Sequence, residues 1–291
     1  MFYSKLFVVF IFVSWTIAAP FLHTTNKSVE YSPISPRNDI KIRENALETL
    51  THDPASAQVA SSKAFTTGAS NYNNSNAYNE TSSYGMDYYN CYYGGWENFP
   101  NSSSWISFDA MFHHAIRAMR NSCTNLGQSA TDTGDSNEQI EQIRGAIQLI
   151  SGISHVDYRF ILAIILQESI GCVNVINTDN GVRNTGIMQA HDGAVFAGNS
   201  ATPYAQQASI IQMVMDGTQG TLSGDGLVQC INRYGNIYEA ARCYNSGSVD
   251  SSDVNYPFTS TASYVNDIAN RMTGWLYSGS RFGSCQAGGK L

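Results

Sequence analysis

The strongest constraint on this chain is the run Phe160-Ile-Leu-Ala-Ile-Ile-Leu-Gln-Glu168, apolar on every side until its last two residues. A segment apolar all round its axis belongs inside a core, so it reads as the central buried helix of a globular domain. Asp157 can cap its start and Gly171 can stop it. The run delivers a single carboxylate, Glu168, to the edge of that core. A carboxyl group in a water-poor pocket has its pKa raised, because desolvation disfavours the charged form. A carboxyl held protonated near neutral pH can protonate a leaving-group oxygen. Glycosidic bond cleavage is therefore the first chemistry to consider. The rival is a helix-end glutamate in a salt bridge, for which Arg159 is the nearest cation in sequence.

The rest of the composition fits an exported protein. Residues 1–19 have a short polar start, an apolar stretch and small residues at Thr16-Ile-Ala18, the pattern of a secretory signal peptide. No other stretch is long and apolar enough to span a membrane. Six cysteines, all from Cys91 onward and with no CxxC spacing, point to disulfides in an oxidising compartment, with the pairing left open. Sequons at Asn26, Asn73, Asn79 and Asn101 suit a glycoprotein. The net charge of −7 argues against nucleic acid or an anionic membrane as partner.

Residues 20–90 read as a disordered leader, pro-segment or linker, with one short helix available over Arg37–Thr51. Tyr72, Tyr78, Tyr84, Tyr88, Tyr89, Tyr92, Tyr93 and Trp96 form an aromatic-rich tract. It is either a glycan-binding arm or a linker that packs on the domain. The globular domain is expected over residues 91–291. Phe108, Met111, Phe112, Ala115 and Met119 recur at helical spacing, and Asp135-Ser136 can cap a helix carrying Ile140, Ile143, Ile147 and Ile150. Asn174 to Gly186 is turn-rich and carries a loop or hairpin signal. Pro203 opens a helix expected to end at Gly217, before a glycine-rich loop without the lysine a phosphate loop needs. Leu227–Arg233, Ile237–Tyr244 and Tyr264–Tyr277 supply further helices. The class is mainly α, with one small irregular or β-hairpin lobe.

Val156-Asp157, Ile161-Leu162-Ala163, Gln167-Glu168-Ser169, Gly186-Ile187-Met188-Gln189, Ala241, Tyr244-Asn245-Ser246-Gly247 and Tyr264-Val265 follow one another in this order. The ordered set resembles the soluble lytic transglycosylase and goose-type lysozyme group, in a fungal secreted form, over roughly residues 153–275. The resemblance implies a lysozyme-like helical domain, stabilised by disulfides, with Glu168 as catalytic acid. It implies that Ser169 hydrogen-bonds the catalytic carboxylate. Gly186, Met188 and Gln189 would frame the cleft, while Tyr244, Asn245 and Tyr264 would form the facing wall. Read without the family, Ser169 is a helix-end serine bonding backbone, and Met188 and Tyr264 are core.

A hydrolase commonly needs a second carboxylate, about 5–5.5 Å away for retention or about 6.5–9.5 Å for inversion. Asp179, Asp192 and Asp225 are the candidates. Asp192 approximates, one residue out of place, the aspartate that goose-type lysozymes carry after this motif. It equally suits a turn in which it bonds backbone. The bacterial transglycosylases use one glutamate as acid and then base. His113, His114 and His155 lack ligand-spaced partners, so neither metal nor other cofactor is expected. A serine hydrolase built on Ser169 lacks its motif.

These readings converge on a secreted, monomeric enzyme of the extracellular space or cell wall that cleaves a β-1,4-linked N-acetylhexosamine polymer. Peptidoglycan leads by resemblance; chitin or chitosan follows, because the acidic charge suits a neutral or cationic polymer. The non-enzymatic rivals are a sugar-binding effector that keeps the fold without turnover, and a structural wall protein.

Overall fold

The computed structural model describes residues 57–70, 85, 87–126, 134–179, 181–276 and 285. The signal peptide, the Arg37–Thr51 helix, Tyr72, Tyr78, Tyr84 and the sequons at Asn26, Asn73 and Asn79 lie outside them. The described chain is mainly helical with one small antiparallel sheet. Its helices are α1 (Ser62–Thr67), α2 (Phe108–Met119), α3 (Ser122–Asn125), α4 (Asn137–Ser154), α5 (Tyr158–Glu168), α6 (Pro203–Gln219), α7 (Leu227–Tyr234), α8 (Ile237–Ser246) and α9 (Tyr264–Met272). Between α5 and α6 lie β1 (Thr178–Asp179), β2 (Arg183–Thr185) and β3 (Ala190–His191), in the order β1-β2-β3. Their register pairs Thr178 with Asn184 and Thr185 with Ala190. This is the small lobe expected from the turn-rich segment.

Helix starts follow the side chains that satisfy orphan backbone donors. Ser136 and Gln139 form a reciprocal capping box at α4. Asp157 accepts from the Arg159 backbone at α5, and Thr202 caps α6 ahead of Pro203. Helix α5 is the centre of the core: every residue from Arg159 to Leu166 is buried, with α2, α4 and α9 packed against it. Arg159 survives there because Asp157 takes its guanidinium at 2.7 and 2.9 Å and the Trp105 ring covers it at 5.0 Å. Arg159 is thus paired with Asp157 and not with Glu168.

Several boundaries differ from expectation: α9 ends at Met272 rather than Tyr277, and α8 reaches Ser246 rather than Tyr244. Helix α6 runs past Gly217 to Gln219. Gly217 is there for packing: a Cβ would sit 2.5 Å from that of Met188. The domain also begins earlier than Cys91. Val59, Ala64 and Ala69, assigned to the leader from sequence, are buried in the same core. The Val59 amide donates to Ser154 O (2.8 Å), Asn232 Oδ1 accepts from Ala60, and Ser70 bridges to Val156. These small side chains are buried and the backbone beside them is bonded to the domain, so the segment packs without bulky aliphatics. In the aromatic tract, Tyr89 is buried, donates to Asp267 and meets Trp275 edge-on, whereas Tyr88 is exposed.

Three disulfides join Cys91 to Cys285, Cys123 to Cys172 and Cys230 to Cys243, using all six cysteines. The first closes 194 residues and so removes the most freedom from the unfolded chain. Among the described residues no helix is long and apolar enough to cross a membrane.

Asp135 ties three of these pieces together. Its amide donates to Met119 O at the end of α2, and its Oδ1 accepts from Val173 beyond α5. Its Oδ2 is buried without a partner. Burial pushes its pKa up to about 7. A carboxyl raised on folding contributes stability that is full at low pH and is lost as pH climbs from the unfolded value near 4 through about 7. Burial likewise raises Asp267 to about 6, so both groups act in the same direction. Melting temperature is expected to fall between pH 4 and 7. Asp135→Asn keeps the Val173 acceptor and removes the charge. It should flatten this slope and stabilise the protein at pH 8 by on the order of 3 kcal/mol, measured by denaturant titration at both pH values.

Candidate active site

The site is built where the last turn of α5 meets α9. Gln167 and Glu168 both dock there. Gln167 Nε2 donates to Asp267 Oδ2 (3.0 Å) and its Oε1 accepts from Arg271 Nε (3.1 Å). Glu168 is half-buried, and its Oε1 accepts from the Tyr264 hydroxyl at 2.6 Å. Tyr264 and Asp267 lie one turn apart on α9, so one helix face holds two successive residues of α5. The glutamate side chain is therefore fixed in direction while part of it stays open to solvent.

Two buried tyrosines flank the carboxylate. Burial first, and the Glu168 charge second, hold the Tyr264 and Tyr244 hydroxyls well above the ordinary phenol pKa. Both keep their protons and can act only as neutral groups. Tyr244 donates to Met188 O at 2.8 Å, which ties α8 to the segment Gly186–Gln189.

Ser169 does not serve Glu168 directly. Its hydroxyl lies 2.7 Å from Ile187 O and 3.1 Å from Ile165 O, and accepts from the Gly171 amide. It holds the Gly186–Gln189 segment against the end of α5, because a helix-end hydroxyl has unpaired carbonyls within reach. Gly186 has φ +67°, and a Cβ there would meet Ala194 O and Met213 at under 3 Å, so its glycine answers to the protein's own packing. Met188 is fully buried against Gly217. Gln189, also at positive φ, donates to Gly186 O and accepts from Thr178, stitching the segment to β1. Asn245 is enclosed. Its Oδ1 accepts from Arg242 Nη1 (2.9 Å), and its Nδ2 has no hydrogen-bond partner. The Ser169, Gln189, Tyr244 and Tyr264 side chains are thus engaged in bonds within the protein.

Asp192 follows β3 at positive φ. It is exposed, with its carboxylate 3.5 Å from His191 Nε2 and its amide bonded to Arg183 O. Asp225 pairs with Arg233, and Asp179 accepts from the Gly181 amide. Each of the three second-carboxylate candidates has a partner other than Glu168. Among the described residues no three His, Cys, Asp or Glu side chains gather as metal ligands.

Sequence reasoning missed the residues that hold this site in place. Arg242 is fully buried and donates to Val254 O, Ser260 Oγ, Thr261 O and Ala262 O besides Asn245. Burial lowers its pKa to about 10, which leaves it charged near neutrality. A lone arginine in the small, apolar stretch Ala240-Ala-Arg-Cys243 was the available signal. Asp267 and Arg271, four apart on α9, carried the same kind of signal.

Comparison with protein-family models, with curated proteins and with solved structures finds no match to this chain.

If Ser169 is a tether, Ser169→Ala strands the Ile187 carbonyl and should cost about 1–3 kcal/mol in equilibrium unfolding. Unchanged stability together with lost activity would instead return the serine to a direct role in the chemistry.

Proposed function

We propose that this protein is a secreted, lysozyme-like glycan-cleaving enzyme acting on a β-1,4-linked N-acetylhexosamine polymer, with peptidoglycan as the leading substrate. The observation that carries the reading is Glu168: one solvent-reachable carboxylate at the end of a buried apolar helix, held by the Tyr264 hydroxyl at 2.6 Å. The ordered motifs around it resemble the lytic transglycosylase and goose-type lysozyme group. The three disulfides suit an oxidising, extracellular setting.

In this mechanism the Glu168 carboxyl gives its proton to the glycosidic oxygen as the bond to the anomeric carbon breaks. Tyr264 donates to Oε1 and so leaves the other oxygen to carry the proton. The resulting carboxylate then takes a proton from the group that attacks the anomeric carbon. Attack by water gives hydrolysis; attack by the sugar's own 6-hydroxyl gives a 1,6-anhydro end. Asp179, Asp192 and Asp225 all engage elsewhere, which favours the single-carboxylate route. Chitin or chitosan remains the second substrate, favoured by the net charge of −7.

Glu168→Gln is expected to lower cleavage by about 10²–10⁴-fold. Mass spectrometry of soluble products from peptidoglycan and from chitin oligomers reads this out. Reducing-end muropeptides mark a muramidase, and 1,6-anhydro ends a transglycosylase. A loss below about tenfold removes Glu168 as the acid. Tyr264→Phe deletes a hydrogen bond to an ionisable partner, worth about 1.5–3 kcal/mol. Its rate should fall roughly 10- to 150-fold while the fold, read by circular dichroism, stays intact.

A further inference from the structure

The loop between Ser246 and Tyr264 carries a feature that the Glu168 chemistry does not use. Tyr256 and Phe258 are 48% and 41% exposed, and their rings meet edge-to-face with centroids 4.9 Å apart. Exposed rings on a loose loop would be unremarkable, but this loop is pinned on both sides of them. Before the pair, Val254 is buried, its amide bonded to Gly94 O and its carbonyl to Arg242. Asn255 is also buried, donating to Tyr92 O and accepting from Asn266. After the pair, Arg242 holds Ser260, Thr261 and Ala262. Phe258 itself sits at φ +53°, a left-handed conformation that costs a bulky residue energy and persists only where its surroundings impose it. Two apolar rings are thus held outward, in fixed geometry, at an energetic cost.

We propose that Tyr256 and Phe258 form a carbohydrate-stacking platform that binds pyranose rings of the same polymer beyond the bond cleaved at Glu168. This rests on the glycan-cleaving reading above. Three observations favour it. The loop leaves α8 after Ser246 and enters α9 at Tyr264, the Glu168 partner, so it is tethered directly to the candidate site. Five residues lie between Phe258 and Tyr264, a reach of at most about 20 Å, which an oligosaccharide of several units spans. The patch is also small: a stable protein interface takes about 20–30 residues a side. Two rings match one or two sugars, whose C–H faces stack on aromatics. Because the loop is already ordered, little entropy is lost on binding.

The test uses the full chain carrying Glu168→Gln, so that bound polymer is not cut. It is sedimented with peptidoglycan sacculi and with colloidal chitin, with and without Tyr256→Ala/Phe258→Ala. The double alanine variant is expected to bind at least tenfold more weakly. The aromatic exchange Tyr256→Phe/Phe258→Tyr should bind as before, and melting temperatures should agree among the variants. Equal binding by the alanine variant overturns the platform, as does the absence of binding to either polymer by Glu168→Gln alone. Cleavage by the native protein is measured alongside. If it cuts polymer while the platform fails, the functional reading stands. If it cuts neither polymer, yet binding depends on the two rings, the platform stands and the enzymatic reading falls.

Discussion

The docking of the last turn of α5 onto α9 is the contact on which the candidate site depends. Gln167 spans Asp267 and Arg271, and Glu168 accepts from Tyr264. Asp267 in turn receives Tyr89 and Ser263. A buried carboxylate with this many donors is still pushed up to about 6, because desolvation outweighs the hydrogen bonds. The network holds a half-buried glutamate in one direction by fixing its neighbour, its partner and the helix beneath both.

A second polar anchor, Arg242, organises the other side. Five acceptors surround it: Asn245 on its own helix and four positions in the loop that follows. Breaking such a set would leave a charge buried without compensation, which makes the loop an integral part of the core. That is how an irregular segment of polar residues can present Tyr256 and Phe258 in fixed positions. The disulfides act elsewhere. Cys230–Cys243 staples α7 to α8, and Cys91–Cys285 brings a distant C-terminal cysteine beside Tyr89 and Trp275.

Legibility in the sequence followed the range of the interactions. The buried character of α5, the caps at Ser136 and Asp157, the opening of α6 at Pro203 and the hairpin after α5 all come from local pattern. For Ser169 the local reading, a helix-end serine bonding backbone, is the one seen at Ile165 O, whereas its bond to Ile187 O and that of Gln189 to Thr178 were not legible. Their partners, Ile187 O and Thr178, depend on how a loop folds back over a helix end. The N-terminal boundary failed for a related reason. Composition counts bulky aliphatics, whereas Val59, Ala64 and Ala69 are small and are buried in a segment held by Ser154, Asn232 and Val156, far away in sequence.

By itself the sequence determined a mainly helical, cysteine-bearing domain around one apolar helix with a carboxylate at its end. Periodicity, capping and the cost of an isolated buried charge act within a few residues along the chain. Tertiary structure alone decided the cysteine pairing, the partnership of Glu168 with Tyr264, and the partners that Asp192 and Asp225 take. It also decided that Arg242 would gather the loop bearing the aromatic pair. These outcomes join residues far apart in sequence, and desolvated polar groups accept few partners, so only the packed chain selects among them.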